Sequence, residues 1–244
     1  MGKKDVLVIL PAFNEAECIG AFLDKLKESG VCERADVIVI NDGSTDKTSQ
    51  IVKNRGFEII TQIYNLGYGC ALQTGYKYAV RNNYEYLIQI DSDGQHDVCN
   101  IENILNELKK DEFCDIVIGS RFLDESVSFK ISGVKRFVIK FFRFIIKRST
   151  KQVVLDPTSG LQGIRRRAFL YYSYYNNFVS NYPDANMIIQ MLLNDFRIKE
   201  TTAVMHARET GKSMHSGLKP VLYIFRMILN TMVVIMRERF KKRR

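Results

Sequence analysis

The sequence predicts an α/β fold: a mostly parallel sheet flanked by helices. Short runs of β-branched and other apolar residues recur between stretches of helical periodicity, and each run ends at a cluster of Asn, Asp or Glu. With 244 residues, 46% of them hydrophobic, the chain is long enough to bury one large core. One domain followed by a tail is the simplest organisation.

Val6-Leu-Val-Ile-Leu10 is an apolar run stopped by Pro11, the pattern of a strand buried on both faces of a parallel sheet. Asn14 stands where an N-cap belongs, and Ile19, Phe22, Leu23 and Leu26 then recur at helical spacing until Gly30. Val37-Ile-Val-Ile40 repeats the buried strand, and Asn41-Asp-Gly-Ser-Thr-Asp46 supplies a turn and a second helix cap. Residues 57–61 predict a third strand, 67–80 a third helix, and 86–90 a fourth strand that ends at Asp91. Ligands of such sheets bind beyond the carboxyl ends of the strands. The clusters Asn14/Glu15, Asn41/Asp42 and Asp91/Asp93, each just after a strand, are therefore expected to converge on one crevice.

Asp91-Ser-Asp-Gly-Gln95 places two carboxylates one residue apart at a strand exit. Two hard anions so spaced suit a divalent cation that bridges a diphosphate; the alternative is an Asx-rich turn with no ligand. The surrounding segments matter more than this motif alone. Leu10-Pro-Ala-Phe-Asn-Glu15, Val39-Ile-Asn-Asp-Gly-Ser-Thr-Asp46, Asn65-Leu-Gly67 and Ile90-Asp-Ser-Asp93 occur in order, followed by Gly119-Ser-Arg121, Asp156-Pro-Thr-Ser-Gly160 and Arg208-Glu-Thr-Gly-Lys-Ser213. Together they resemble the family 2 glycosyltransferases of the Rossmann-like GT-A fold, in the branch that includes dolichol-phosphate-mannose-synthase-like and bacterial cell-surface polysaccharide enzymes. The resemblance spans residues 6–214.

The resemblance implies an inverting, metal-dependent transferase that uses a UDP-, GDP- or dTDP-sugar and Mg²⁺ or Mn²⁺. It places Pro11, Ala12 and Glu15 along the nucleotide pocket and Asp42 at the base or ribose. Asp91, Ser92 and Asp93 would meet the metal and diphosphate, and Gln95 would join the metal shell. Asp156 and Asp184 are the candidate general bases, each with a turn or cap role as the alternative. An acceptor that is already a phosphate needs no base, and the resemblance directs Arg121 and Arg208 toward donor or lipid phosphates, with Lys212 beside them. His96, His206 and His215 lack a metal-ligand spacing and read as structural or loop histidines.

The formal charge of +9 calls for a polyanionic partner. Residues 129–150 interleave Phe, Ile and Val with Lys and Arg and hold no carboxylate, the character of a helix lying in a headgroup layer; a core helix with a solvated basic face is the alternative. Residues 218–244 form a second amphipathic, polybasic segment, too short and too charged to span a bilayer. Packing of this tail in a homo-oligomer is its alternative.

The expected organisation is thus a catalytic domain over 1–217, with a basic amphipathic insertion near 129–150, and a membrane-associating tail over 218–244. No RNP-like strand or zinc spacing supports nucleic acid as the polyanion. A nucleotidyltransferase would place a Gly-rich basic loop after the first strand, where this chain has Pro11-Ala-Phe-Asn-Glu15. The five scattered cysteines and the lack of a secretory leader predict a cytoplasmic protein, held peripherally at the inner face of the membrane. Two acceptors are expected: a polyprenyl-linked surface polysaccharide first, and a polyprenyl phosphate, as in dolichol-phosphate-mannose-synthase-like enzymes, second.

Overall fold

The computed structural model describes residues 4–123, 133–178, 183, 185–206 and 219–241. Seven strands form one sheet in the order β3-β2-β1-β4-β6-β5-β7. Its first half is the predicted parallel array: β1 (Val6–Ala12), β2 (Asp36–Asn41), β3 (Glu58–Thr61) and β4 (Tyr86–Gln89). The crossovers are α1 (Ile19–Glu28) with the short α2 (Val31–Arg34), then α3 (Thr48–Asn54) and α4 (Tyr68–Arg81). β1 continues through Pro11, which aligns with Ile40 of β2.

Along β1 the side chains alternate between two cores. Leu7 and Ile9 face one, and Val6, Val8 and Leu10 face the other, so both faces are covered and the strand reads as an unbroken apolar run. The second core is closed by α1, α3 and α5 (Cys99–Lys110).

The second half of the sheet is mixed. β5 (Ile116–Ser120) and β7 (Ile198–Thr202) are parallel, but β6 (Gln162–Arg165) runs antiparallel between β4 and β5. On the first core's side lie α4, α6 (Gly133–Thr150), α7 (Arg166–Ser173), a 3-10 turn at Tyr175–Asn177, α8 (Ala185–Leu193) and α9 (Lys219–Lys241). Every residue from Ala185 to Met191 of α8 is buried, with α6 and α9 packed against it.

The expected cap at Asn14 is corrected: α1 begins five residues later, at Ile19, because Asn14 takes a left-handed backbone (φ 55°) and bonds the loop after β2 instead. The cap expected within residues 41–46 is likewise corrected: the N-cap of α3 is Lys47, which makes no side-chain cap bond, and Asp46 before it closes an Asx turn, its Oδ1 accepting the Thr48 amide at 2.9 Å. α6 and α9 are helices as the periodicity predicts, though each buries one side in the domain.

Gly163 of β6 leaves room for Ile104 of α5; a methyl group there would overlap the Ile104 side chain. Gly163→Ala is predicted to destabilise the protein by about 1–3 kcal/mol through overpacking, read as a lower denaturation midpoint with an unchanged urea m-value.

Candidate active site

The carboxyl ends of β1, β2 and β4 lie side by side, and hydrogen bonds stitch their loops together. Asn14 Oδ1 accepts the Thr45 amide at 2.8 Å, and the Asn14 amide donates to Ser44 Oγ at 2.9 Å. The Glu15 amide donates to Thr48 Oγ1 at 2.9 Å. Ser92, 2% exposed, donates to the Pro11 carbonyl at 2.9 Å and so ties the exit of β4 to that of β1.

Asp42 is 3% exposed, and its two oxygens accept the amides of Leu66 and Gly67, each at 2.8 Å. Burial raises its pKa, while those two N–H groups pull the other way by favouring the charged form. The turn it clamps packs so closely on Gly43 (φ 68°) that a Cβ there would sit 2.5 Å from the Tyr64 carbonyl carbon.

Asp91 and Asp93 occupy the turn after β4, both half-buried. Tyr68, in the first turn of α4, donates to Asp91 Oδ1 at 2.9 Å, and Asp93 Oδ1 accepts the Gln95 amide at 3.1 Å. Gly160 faces Asp91 so closely that a side chain there would overlap the carboxylate. Gln89 reinforces this approach by donating to the Gly160 carbonyl at 3.0 Å. Among the described residues no three His, Cys, Asp or Glu gather into a ready-made metal site. Two carboxylates and the Gln95 amide oxygen are nonetheless hard oxygen donors, and they fit a divalent cation that takes its other ligands from a diphosphate.

Arg121 and Asp156 are brought together, but as partners of each other. Nε and Nη2 of Arg121 donate to the two carboxylate oxygens at 2.6 Å each, and the Arg121 amide adds a 3.0 Å bond. The arginine side chain is 5% exposed and the aspartate 0%. Thr158 accepts a further bond from Arg121 at 2.9 Å. Glu200 of β7 accepts the amides of Leu155 and Asp156, each at 2.7 Å, and burial raises its pKa. Arg143 of α6 donates to the Leu155 carbonyl at 2.5 Å. Neither Glu200 nor Arg143 carried a motif in the sequence.

Asp184, Arg208, Lys212 and His215 lie outside the described residues. The segment leading to Arg208 is anchored at the β4 exit: the His206 amide donates to the Gln95 carbonyl at 2.8 Å, and the Asp97 amide to Val204 at 3.2 Å. Asn100 exchanges two hydrogen bonds with the Val204 backbone, at 2.7 and 2.9 Å. Asp97 Oδ2 lies 3.0 Å from His206 Nε2. His96 is 4% exposed, consistent with a structural role. A separate cavity of 330 Å³ opens at the other end of the sheet, where Lys4 is already held by Asp36 and by the Cys32 and Ala35 carbonyls.

Residues 7–172 match the family described as glycosyl transferase family 2. The chain belongs to this family. It is a glycosyltransferase, as the motifs implied. A Methanocaldococcus jannaschii protein of uncharacterized function is 36% identical over 70% of the chain and 67% of its own length. An undecaprenyl-phosphate mannosyltransferase of Micrococcus luteus is 29% identical over 48% of each chain. The match thus spans about half the length of that relative, and of several others.

Among solved structures, the glucosyl-3-phosphoglycerate synthase of Mycobacterium tuberculosis with bound UDP superposes with a TM-score of 0.70 at 20% identity, covering 95% of this chain and 80% of that one. At that identity the likeness shows the GT-A fold.

Two outcomes follow from these ion pairs, the buried Arg121–Asp156 and the more exposed His206–Asp97. Asp156→Ala leaves Arg121 charged and without its partner, and is predicted to cost about 3–5 kcal/mol; the double variant Arg121→Met/Asp156→Ala is expected to recover part of that loss in urea denaturation. His206 lowers the pKa of Asp97 to about 2. A lowered carboxylate pKa stabilises the fold above the ordinary value and loses that contribution as pH falls through the folded value. Thermal midpoints of Asp97→Asn are therefore expected to fall less steeply than those of the parent between about pH 4 and pH 2.

Proposed function

We propose that the protein transfers a sugar from a nucleoside-diphosphate sugar to a membrane-borne polyprenyl phosphate, at the cytoplasmic face of the membrane. The observation that carries this reading is the fully buried Arg121–Asp156 pair. An acceptor hydroxyl must lose a proton during transfer, so a base must reach it. Asp156 is enclosed and already accepts from Arg121 through both oxygens, which suits a framework role better than proton removal. A phosphate oxygen attacks as an anion: a bond forms from it to the anomeric carbon, the bond to the diphosphate breaks with inversion, and no proton has to be moved.

Relatives named undecaprenyl-phosphate mannosyltransferase, polyprenol monophosphomannose synthase and dolichyl-phosphate β-glucosyltransferase support the same acceptor class. They favour the polyprenyl phosphate, second of the two acceptors expected from the sequence, over the polyprenyl-linked polysaccharide. The latter keeps its place through Asp184, a candidate base that the buried pair leaves untouched.

In this reading Pro11, Ala12, Glu15 and Asp42 border the nucleoside. Asp42 acts through the Leu66–Gly67 turn that it clamps, and Glu15 through the loop fixed to Thr48. Asp91, Asp93 and Gln95 would hold Mg²⁺ or Mn²⁺, with Ser92 fixing the turn on Pro11. When bound, the cation neutralises charge developing on the leaving diphosphate. Solved relatives of the same fold hold Mn²⁺ with UDP, or Mg²⁺ with UDP. Arg208 and Lys212 follow the anchored His206 and would supply cations to the donor or acceptor phosphates.

Incubation with UDP-, GDP- and dTDP-sugars, a short-chain polyprenyl phosphate and Mn²⁺ or Mg²⁺ is expected to give a polyprenyl-phosphate sugar from at least one donor, with the anomeric centre inverted by NMR. Asp93→Ala is predicted to lower kcat/KM by on the order of 100-fold or more, as EDTA does to the parent, with an unchanged thermal midpoint. Transfer that survives both the substitution and the chelator would refute the site; transfer only to a hydroxyl acceptor would restore the other acceptor.

A further inference from the structure

α9 has two apolar faces. Met227, Thr231, Val234 and Glu238 are each no more than 2% exposed, on the side that packs against α8. Leu229, Met232, Val233, Met236 and Phe240 are 46–66% exposed. At about 100° per residue the two sets point in opposite directions. Packing on the domain explains the first face, whereas a helix that only covers a core turns polar residues outward.

The charges beside the outer face share one sign. Arg226 and Arg239 are exposed at its margins. The one carboxylate in the helix, Glu238, is turned inward and bonds Arg237 at 2.8 Å, Asn194 at 3.1 Å and Lys241 at 3.4 Å. α6 repeats the arrangement. Ile139, Phe142 and Ile146 are buried toward the core, while Phe137 and Phe144, two turns apart, are 72% and 67% exposed among the exposed Arg136, Lys140, Lys147 and Arg148. No carboxylate occurs in α6.

We propose that the outward faces of α6 and α9 form one docking surface for an anionic lipid bilayer. It deepens the lipid-acceptor reading, on which its purpose rests, by naming the surface. The exposed Phe, Leu, Met and Val side chains enter the acyl boundary, to the ~5–10 Å typical of interfacial helices, and the cations meet the headgroups. A second copy of the chain fits less well, because face against face would set cation against cation with no acid to answer. Nucleic acid would engage the cations and leave the apolar stripe in water. Among the described residues no helix is long and apolar enough to cross a membrane, so the contact lies along the surface.

The surface is joined to the site. Arg143 of α6 holds the Leu155 carbonyl and stacks over Phe122, 4.4 Å from the ring centre, so the docking helix is fastened to the segment that carries the Arg121–Asp156 pair.

The test is sedimentation of the full chain with vesicles of phosphatidylcholine alone or mixed with phosphatidylglycerol. The parent is expected to bind the anionic vesicles at least tenfold more tightly than the neutral ones. Met232→Asp/Met236→Asp and, separately, Arg136→Gln/Lys140→Gln are expected to lose at least tenfold of that binding, with unchanged circular dichroism and unchanged donor hydrolysis. The charge variant keeps the test decisive if the apolar one fails to fold. Failure of the parent to bind anionic vesicles, equal binding by parent and variants, or a dimer that the same substitutions dissociate would overturn the proposal. Transfer to a water-soluble short-chain polyprenyl phosphate separates the two ideas: transfer without vesicle binding sinks the docking surface alone, and vesicle binding without transfer sinks the acceptor reading alone.

Discussion

The parallel pairing of β1 with β2 on one side and β4 on the other is the constraint from which the site follows. Parallel strands bring all their carboxyl ends to one edge, and neighbours lie about 4.8 Å apart, so the loops leaving three adjacent strands open within roughly 10 Å of one another. The chain turns from β1 toward β2 and later returns on the opposite side through β4, which makes the gap between β1 and β4 a topological switch point. Ser92 bridges that gap to Pro11. Side chains on the three loops lock in place what the sheet has already brought together.

The antiparallel β6 performs the same service from the other direction. It carries the segment 155–161 back along β4, setting Gly160 against Asp91 and its carbonyl on Gln89. That segment is held by charge. Arg121 reaches it from the end of β5, Glu200 from β7 and Arg143 from α6, so three elements distant in sequence converge on the Asp156 carboxylate and the backbone of residues 155 and 156. A buried ion pair is poor evidence for stability as such, since desolvation offsets much of its attraction. Its geometry does fix how the 155–160 turn faces the carboxylates of the β4 exit.

Much of this was legible in the sequence where burial imposes a simple pattern. β1, β2 and β4 are buried on both faces and so read as continuous apolar runs, and the polar clusters after them declare where they end. The later strands hid themselves: β6 is Gln-Gly-Ile-Arg, and β7, Ile-Lys-Glu-Thr-Thr, is a half-exposed edge, so neither shows the run or the alternation that marks a strand. The Asp42 clamp crosses 24 residues and the Arg121–Asp156 pair 35, and local spacing is blind to such distances. Asn14 misled because an Asn before a helical stretch has the chemistry of a cap, and also that of a residue able to adopt positive φ and bridge two loops.

The central claim is that the turn after β4 holds a cation against a nucleoside diphosphate. Its most direct measurement is the ³¹P NMR line width of UDP and GDP titrated with the protein and sub-stoichiometric Mn²⁺. Paramagnetic broadening of both phosphate resonances that requires the folded protein, and that returns to the free-solution level in Asp91→Asn, is the predicted result. Broadening of equal size in that variant would place the ion elsewhere and contradict the account.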